Sequence, residues 1–168
     1  MGWWALVGMV AMAGQAGSDA DRVRADPYCR DIFGIVAASG QGFAPIKGAW
    51  RTDDDEWVSL ITLPGADECS IRPWTEQDLE FACKWAVADT ATANATARTM
   101  ADKLRWCAWH GLDSPSGPLA DMRSPTARGV TFLWELWLSR TMTKVTVEAR
   151  QSPRSGAASV QFRVERRR

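Results

Sequence analysis

The spacing of apolar residues changes period along the chain, and each change marks an element. From Thr143 to Arg150, Val145, Val147 and Ala149 alternate with Lys144, Thr146, Glu148 and Arg150; from Ser159 to Glu165, Val160, Phe162 and Val164 do the same. A period of two puts one side of a strand on a core and the other in water, the pattern of an antiparallel sheet. Val130 to Leu138 reads as a third, more apolar strand. Upstream, Phe43 to Trp50 and Glu56 to Leu63 predict two strands around an acidic hairpin loop, Arg51 to Asp55. A short strand around Cys69 to Arg72 follows the turn at Pro64-Gly65.

Steps of three and four replace the step of two from Thr75 to Trp109, where Leu79, Cys83, Ala86, Thr90, Ala93, Ala97, Met100, Leu104 and Cys107 share one helical stripe. Pro73 and Thr75-x-x-Asp78 open this predicted helix and Gly111 closes it. Its small central residues would let a sheet approach closely. Another helix is predicted over Asp21 to Ala38, ended by Ser39-Gly40-Gln41-Gly42, with Pro27 as an alternative start. Asp113 to Gly129 carries Pro115, Pro118 and Pro125 and reads as a loop or lid. The expected order is α-β-β-β-α-β-β-β, an α+β fold in which two helices pack on one face of an antiparallel sheet of five to six strands. At the level of topology this order resembles that of secretion chaperones and similar small interaction domains, although those lack an export signal and paired cysteines.

The first 18 residues fall outside this pattern. They carry no charged side chain, and Trp3 to Ala13 is an apolar run followed by small residues. That run fits the roughly 7–15 residues of a signal-peptide core and falls short of the ~20 that span a bilayer. Residues 1–18 are therefore expected to be a signal peptide, cut after Ala13 or Ala16, with 19–168 forming a single domain. No Lys or Arg precedes the run, which leaves an uncleaved anchor at residues 3–13 as the alternative. The expected location is exported, periplasmic or extracellular, with no stable transmembrane span after processing.

Export changes the meaning of the four cysteines, Cys29, Cys69, Cys83 and Cys107, because an oxidising compartment lets them form a disulfide framework. On a continuous helix from Thr75, Cys83 and Cys107 would stand roughly 36 Å apart at ~1.5 Å per residue, too far to bond. Two pairings remain, and the preferred one joins Cys29 to Cys107 and Cys69 to Cys83. Redox chemistry is not indicated, since no Cys-x-x-Cys occurs.

Composition narrows the chemistry. The chain has 168 residues, 20 Lys+Arg and 20 Asp+Glu, but only one His and one Tyr against ten Trp. Groups that titrate near neutral pH are scarce, which weighs against an enzyme. The neutral total hides an asymmetry: 17 acidic and 10 basic residues from Asp19 to Met122 give −7, and 3 acidic and 10 basic from Arg123 onward give +7. No cofactor is expected, and scattered cysteines with a single His make a poor metal site. Asp53-Asp54-Asp55-Glu56 lacks calcium-loop spacing and reads as a solvated hairpin tip. His110 reads as a helix-end residue, and Asn94-Ala95-Thr96 as a chance match to a glycosylation acceptor inside a helix.

Trp134 and Trp137 fall on opposite sides of their strand, so one of them is expected outside the core. A tryptophan on a sheet face rimmed by arginines such as Arg150 and Arg163 is a typical protein-binding hot spot. The expectation is a small exported, disulfide-bonded binding or inhibitory protein, monomeric or weakly dimeric, acting through a sheet face or edge on another exported or envelope protein. Nucleic acid is not an expected partner. The alternatives are a secreted hydrolase using carboxylates in a cleft under the 113–129 loop, and a membrane-anchored structural envelope protein.

Overall fold

The computed structural model describes residues 18–75, 78–111, 129–138 and 141–166. In chain order these form α1 (Asp19–Ala25), α2 (Pro27–Ser39), a 3-10 turn (Ala44–Ile46), β1 (Lys47–Arg51), β2 (Glu56–Ser59), β3 (Glu68–Pro73) and β4 (Leu79–Val87). Then come α3 (Thr90–Gly111), β5 (Val130–Leu138), β6 (Thr143–Gln151) and β7 (Ala158–Arg166). One antiparallel sheet holds seven strands in the order β1-β2-β3-β4-β7-β6-β5. The class is α+β, with more strands and helices than the sequence pattern predicted.

The largest difference lies in the segment read as one long helix. Residues 79–87 are a strand, and Thr75 and Asp78 close the β3–β4 hairpin, where the Asp78 backbone N–H donates to Thr75 Oγ1 at 3.0 Å. The pair Leu79 and Cys83, four apart, shares a face in a strand as well as in a helix. What separates the two is the alternation Leu79, Phe81, Cys83, Trp85 against Glu80, Lys84 and Ala86, and the second set faces away from the core. The helix starts only where Asp89 caps it, accepting from the Thr92 N–H at 2.7 Å. The predicted first helix is likewise two. Pro27 cannot continue the turn before it, so Asp26 leaves helical geometry and caps α2 by accepting from Cys29 N–H at 3.1 Å. The predicted strands 43–50 and 56–63 are shorter, since Ala44–Ile46 forms the 3-10 turn and β2 ends at Ser59.

Helices α2 and α3 cover one side of the sheet, α3 lying over β5, β6, β7 and β4. Its buried stripe is Ala93, Ala97, Ala101, Leu104 and Ala108, so little side-chain bulk separates helix from sheet. The sheet supplies that bulk through Phe81, Phe132, Trp134, Val147 and Phe162, all buried. Phe81 and Phe162 meet edge to face at 6.2 Å.

Each layer holds one disulfide. Cys69 and Cys83 sit directly opposite each other on β3 and β4, with Cα atoms 4.1 Å apart. Cys29 of α2 bonds Cys107 of α3 at a Cα separation of 5.3 Å, and with Val23 of α1 forms a small cluster beside the main core. With Cys83 on a strand, the helical argument that separated it from Cys107 does not apply. Gly111 ends α3 because a Cβ there would meet Phe33 Cζ at 2.4 Å and Val23 Cγ1 at 2.6 Å. Any side chain would push α1 and α2 away.

Asp26 joins the helices by charge through Lys103 of α3. Partial burial raises its pKa, but hydrogen bonds from Lys103 and from the Cys29 N–H outweigh this and hold the carboxyl below its ordinary value. A depressed aspartate stabilises the fold above its unfolded value of about 3.9, and that contribution disappears as pH falls through the lower folded value. Asp26→Ala is therefore expected to cost about 1 kcal/mol at pH 7, the usual worth of such a cap. The gap to the wild type should narrow in thermal melts as pH falls from 7 through the lowered folded value, and a gap unchanged down to the most acidic pH at which the fold survives would remove the charge from the account.

Candidate functional site

The side of the sheet away from the helices is fixed by register. Across β4, β7, β6 and β5, one row holds Glu80, Glu165, Lys144 and Trp137; the next holds Ala82, Arg163, Thr146 and Glu135; a third holds Lys84, Gln161, Glu148 and Leu133. A sheet face left to water would expose such residues. Here Glu80 is 0% exposed, Thr146 1%, Glu148 3% and Glu165 5%. This outer face is thus a partly enclosed polar layer.

Charges of opposite sign alternate across it. Arg72 Nε of β3 donates to Glu80 Oε1 on β4. Lys144 Nζ lies 3.1 Å from Glu165 Oε2 and 3.6 Å from Glu135 Oε1. Glu148 Oε1 stands 2.9 Å from an Arg163 terminal nitrogen and 3.4 Å from Arg150 Nε. At the β1 edge, Arg51 bonds Glu68 and Glu56, and these bonds outweigh desolvation in raising its pKa. The pairing is incomplete. Glu80 Oε2, Thr146 Oγ1 and Arg163 Nε are buried without a hydrogen-bond partner, and Glu148 Oε1 has ionic neighbours but no aligned donor. Each orphan costs roughly 1–3 kcal/mol of unreturned desolvation, so one face concentrates unused hydrogen-bonding capacity.

Two tryptophans flank this layer at one end. Trp137, on β5 opposite Lys144, is 38% exposed, and Trp74, just past β3, is 54% exposed with its ring 5.9 Å from the Arg163 guanidinium carbon. β3 and β5 are four strand spacings apart in the sheet, roughly 19 Å at ~4.8 Å each. Of the residues singled out from sequence, Trp137, Arg150 and Arg163 share this face. Trp134 does not: at 1% exposure it packs on the helix side and is withdrawn from any surface role. Glu80 and Trp74 were not selected, because reading residues 75–109 as a helix hid the strand that places Glu80 and the hairpin that places Trp74.

The other candidates lie elsewhere. Asp53, Asp54 and Asp55 form the exposed β1–β2 turn, with Asp54 3.8 Å from Arg51. Asn94 accepts from Thr131 Oγ1 at 2.8 Å in the second turn of α3, and His110 tilts against Trp106 at the far end of that helix. Among the described residues no group of three or more His, Cys, Asp or Glu is placed to hold a metal, and no helix is long and apolar enough to cross a membrane. The cleft expected under the 113–129 loop, and the segment 1–17, lie outside the described residues apart from Gly129. No family model, curated protein or solved structure matches the chain.

Proposed function

We propose that the chain is a small exported binding or inhibitory protein that docks another exported or envelope protein on the outer face of its sheet. The observation that carries this is the pair of exposed tryptophans, Trp74 and Trp137, on a sheet face otherwise filled by paired charges. A partner seated there would bury both rings as apolar anchors, with Glu135, Lys144, Arg150 and Arg163 as polar surroundings, the usual division between a hot spot and its rim. The two disulfides favour an oxidising location. The hydrolase reading has less support, because Glu80 and Glu165 are neighbours across β4 and β7 yet each is bound to its own cation, Arg72 and Lys144.

The test is capture from an envelope extract with the mature protein, run beside the Trp74→Ala/Trp137→Ala double variant. Each hot-spot tryptophan is worth about 2 kcal/mol or more, so the double variant is expected to lose a captured partner by at least ~100-fold in affinity. Equal capture by both proteins, or no capture together with turnover of a simple ester or glycoside, would overturn the reading.

A further inference from the structure

At the opposite end of the outer face from Trp137 a cavity of about 470 Å³ opens between β4 and the β6–β7 hairpin. Along β5 the two ends are seven residues apart, roughly 23 Å at ~3.3 Å per residue. The cavity is lined by Lys84, Arg150, Gln151, Ser152, Ser155 and Gln161, among others, and among the described residues no carboxylate lines it. We infer that this cavity is a binding site for an oxyanion headgroup, phosphate or sulfate, carried on a small polar body.

The donor inventory is one-sided. Lys84 is exposed on β4 and makes no ion pair among the described residues. Arg150 touches Glu148 through Nε at 3.4 Å, which leaves the two terminal nitrogens of its guanidinium for a ligand. The serines are turned into donors by the loop itself. Ser152 Oγ accepts the Ser155 N–H at 3.2 Å and Ser155 Oγ accepts the Ala157 N–H at 3.3 Å, so each hydroxyl still has its own proton to give. The loop holds this shape through Ser152 N–H to Ala157 O at 2.8 Å and Gly156 N–H to Ser152 O at 2.9 Å, with Gly156 at φ +72°. Opposite it, Gly129 at φ +82° lets β5 begin against the Gln151 carbonyl, which a Cβ would meet at 2.6 Å. Cationic and hydroxyl donors from β4, β6 and the hairpin therefore border one cavity. Such a set of charged and neutral donors suits a doubly charged oxyanion better than a singly charged carboxylate. The volume lies in the range of small-molecule sites and leaves room beyond the headgroup.

Titration calorimetry of the disulfide-bonded protein with inorganic phosphate, glycerol 3-phosphate, acetate and glycerol tests this. Phosphate and glycerol 3-phosphate are expected to bind, glycerol 3-phosphate the tighter if the neighbouring volume is used, while acetate binds at least 10-fold more weakly and glycerol not at all. Lys84→Gln, at an exposed position, is expected to weaken phosphate at least 10-fold, and Ser152→Ala to weaken it several-fold. Arg150→Lys keeps a charge beside Glu148 and is expected to reduce affinity without unfolding the chain. No heat with either phosphate, equal binding of acetate, or binding unchanged in Lys84→Gln would overturn the inference. Trp74 and Trp137 lie outside this cavity, so their double variant retains phosphate binding whether or not the protein-docking reading holds.

Discussion

Replacing Cys29 and Cys107 together by alanine is expected to lower stability by about 4 kcal/mol, against about 3 kcal/mol for the Cys69→Ala/Cys83→Ala pair. Both figures come from loop-closure entropy in the unfolded chain, for sequence separations of 78 and 14 residues. The native state widens the difference. Cys69 and Cys83 are held opposite each other by the β3–β4 ladder whether bonded or not, whereas α1 has little anchorage beyond the cluster that Cys29 and Cys107 form with Val23. At roughly 2–4 °C per kcal/mol for a domain of this size, the long-range pair corresponds to about 8–16 °C in melting temperature. Thermal melts of the two double variants beside the wild type measure this. A smaller loss for the Cys29/Cys107 variant than for the Cys69/Cys83 variant would refute the ordering.

Arg72→Met alone is expected to destabilise by about 3 kcal/mol, while Arg72→Met combined with Glu80→Leu recovers most of that loss. Glu80 is fully buried and Arg72 half-exposed, so water screens part of their attraction, and the expected loss arises mainly from a buried carboxylate deprived of its cation. Removing both charges removes the desolvation cost and also eliminates the orphaned Glu80 Oε2. Denaturant unfolding of the two singles and the double gives the coupling directly. If the double is as unstable as the Arg72 single, burial of Glu80 is not what makes Arg72 matter.

The same residues show what a linear reading reaches. The alternation in β6 and β7 is unambiguous because polar and apolar positions exchange at every step for seven or more residues, and the acidic turn between β1 and β2 is equally plain. Residues 79–87 defeat it because four-residue spacing belongs to both periods, and because the helix that follows continues the count without a Gly or Pro between them. The alternation of Leu79, Phe81, Cys83 and Trp85 with Glu80, Lys84 and Ala86, the cap at Asp89 and the cross-strand partners Val164 and Phe162 separate the two. Trp137, Arg150 and Arg163 were visible as a surface set since their strands were visible. Glu80 could not be assigned to the same surface until β4 was known to lie beside β7, a neighbour far away in the chain.

That neighbour relation governs how the molecule is put together. β1 to β4 can zip up as successive hairpins and β5 to β7 can do likewise, but the two blocks meet only along the seam between Leu79–Val87 and Ala158–Arg166. Until residues 158–166 have been synthesised, the first block presents the bare backbone of the β4 edge, Leu79–Val87. The sheet therefore closes last at this seam, and until it does the β4 edge is open to pairing with another strand.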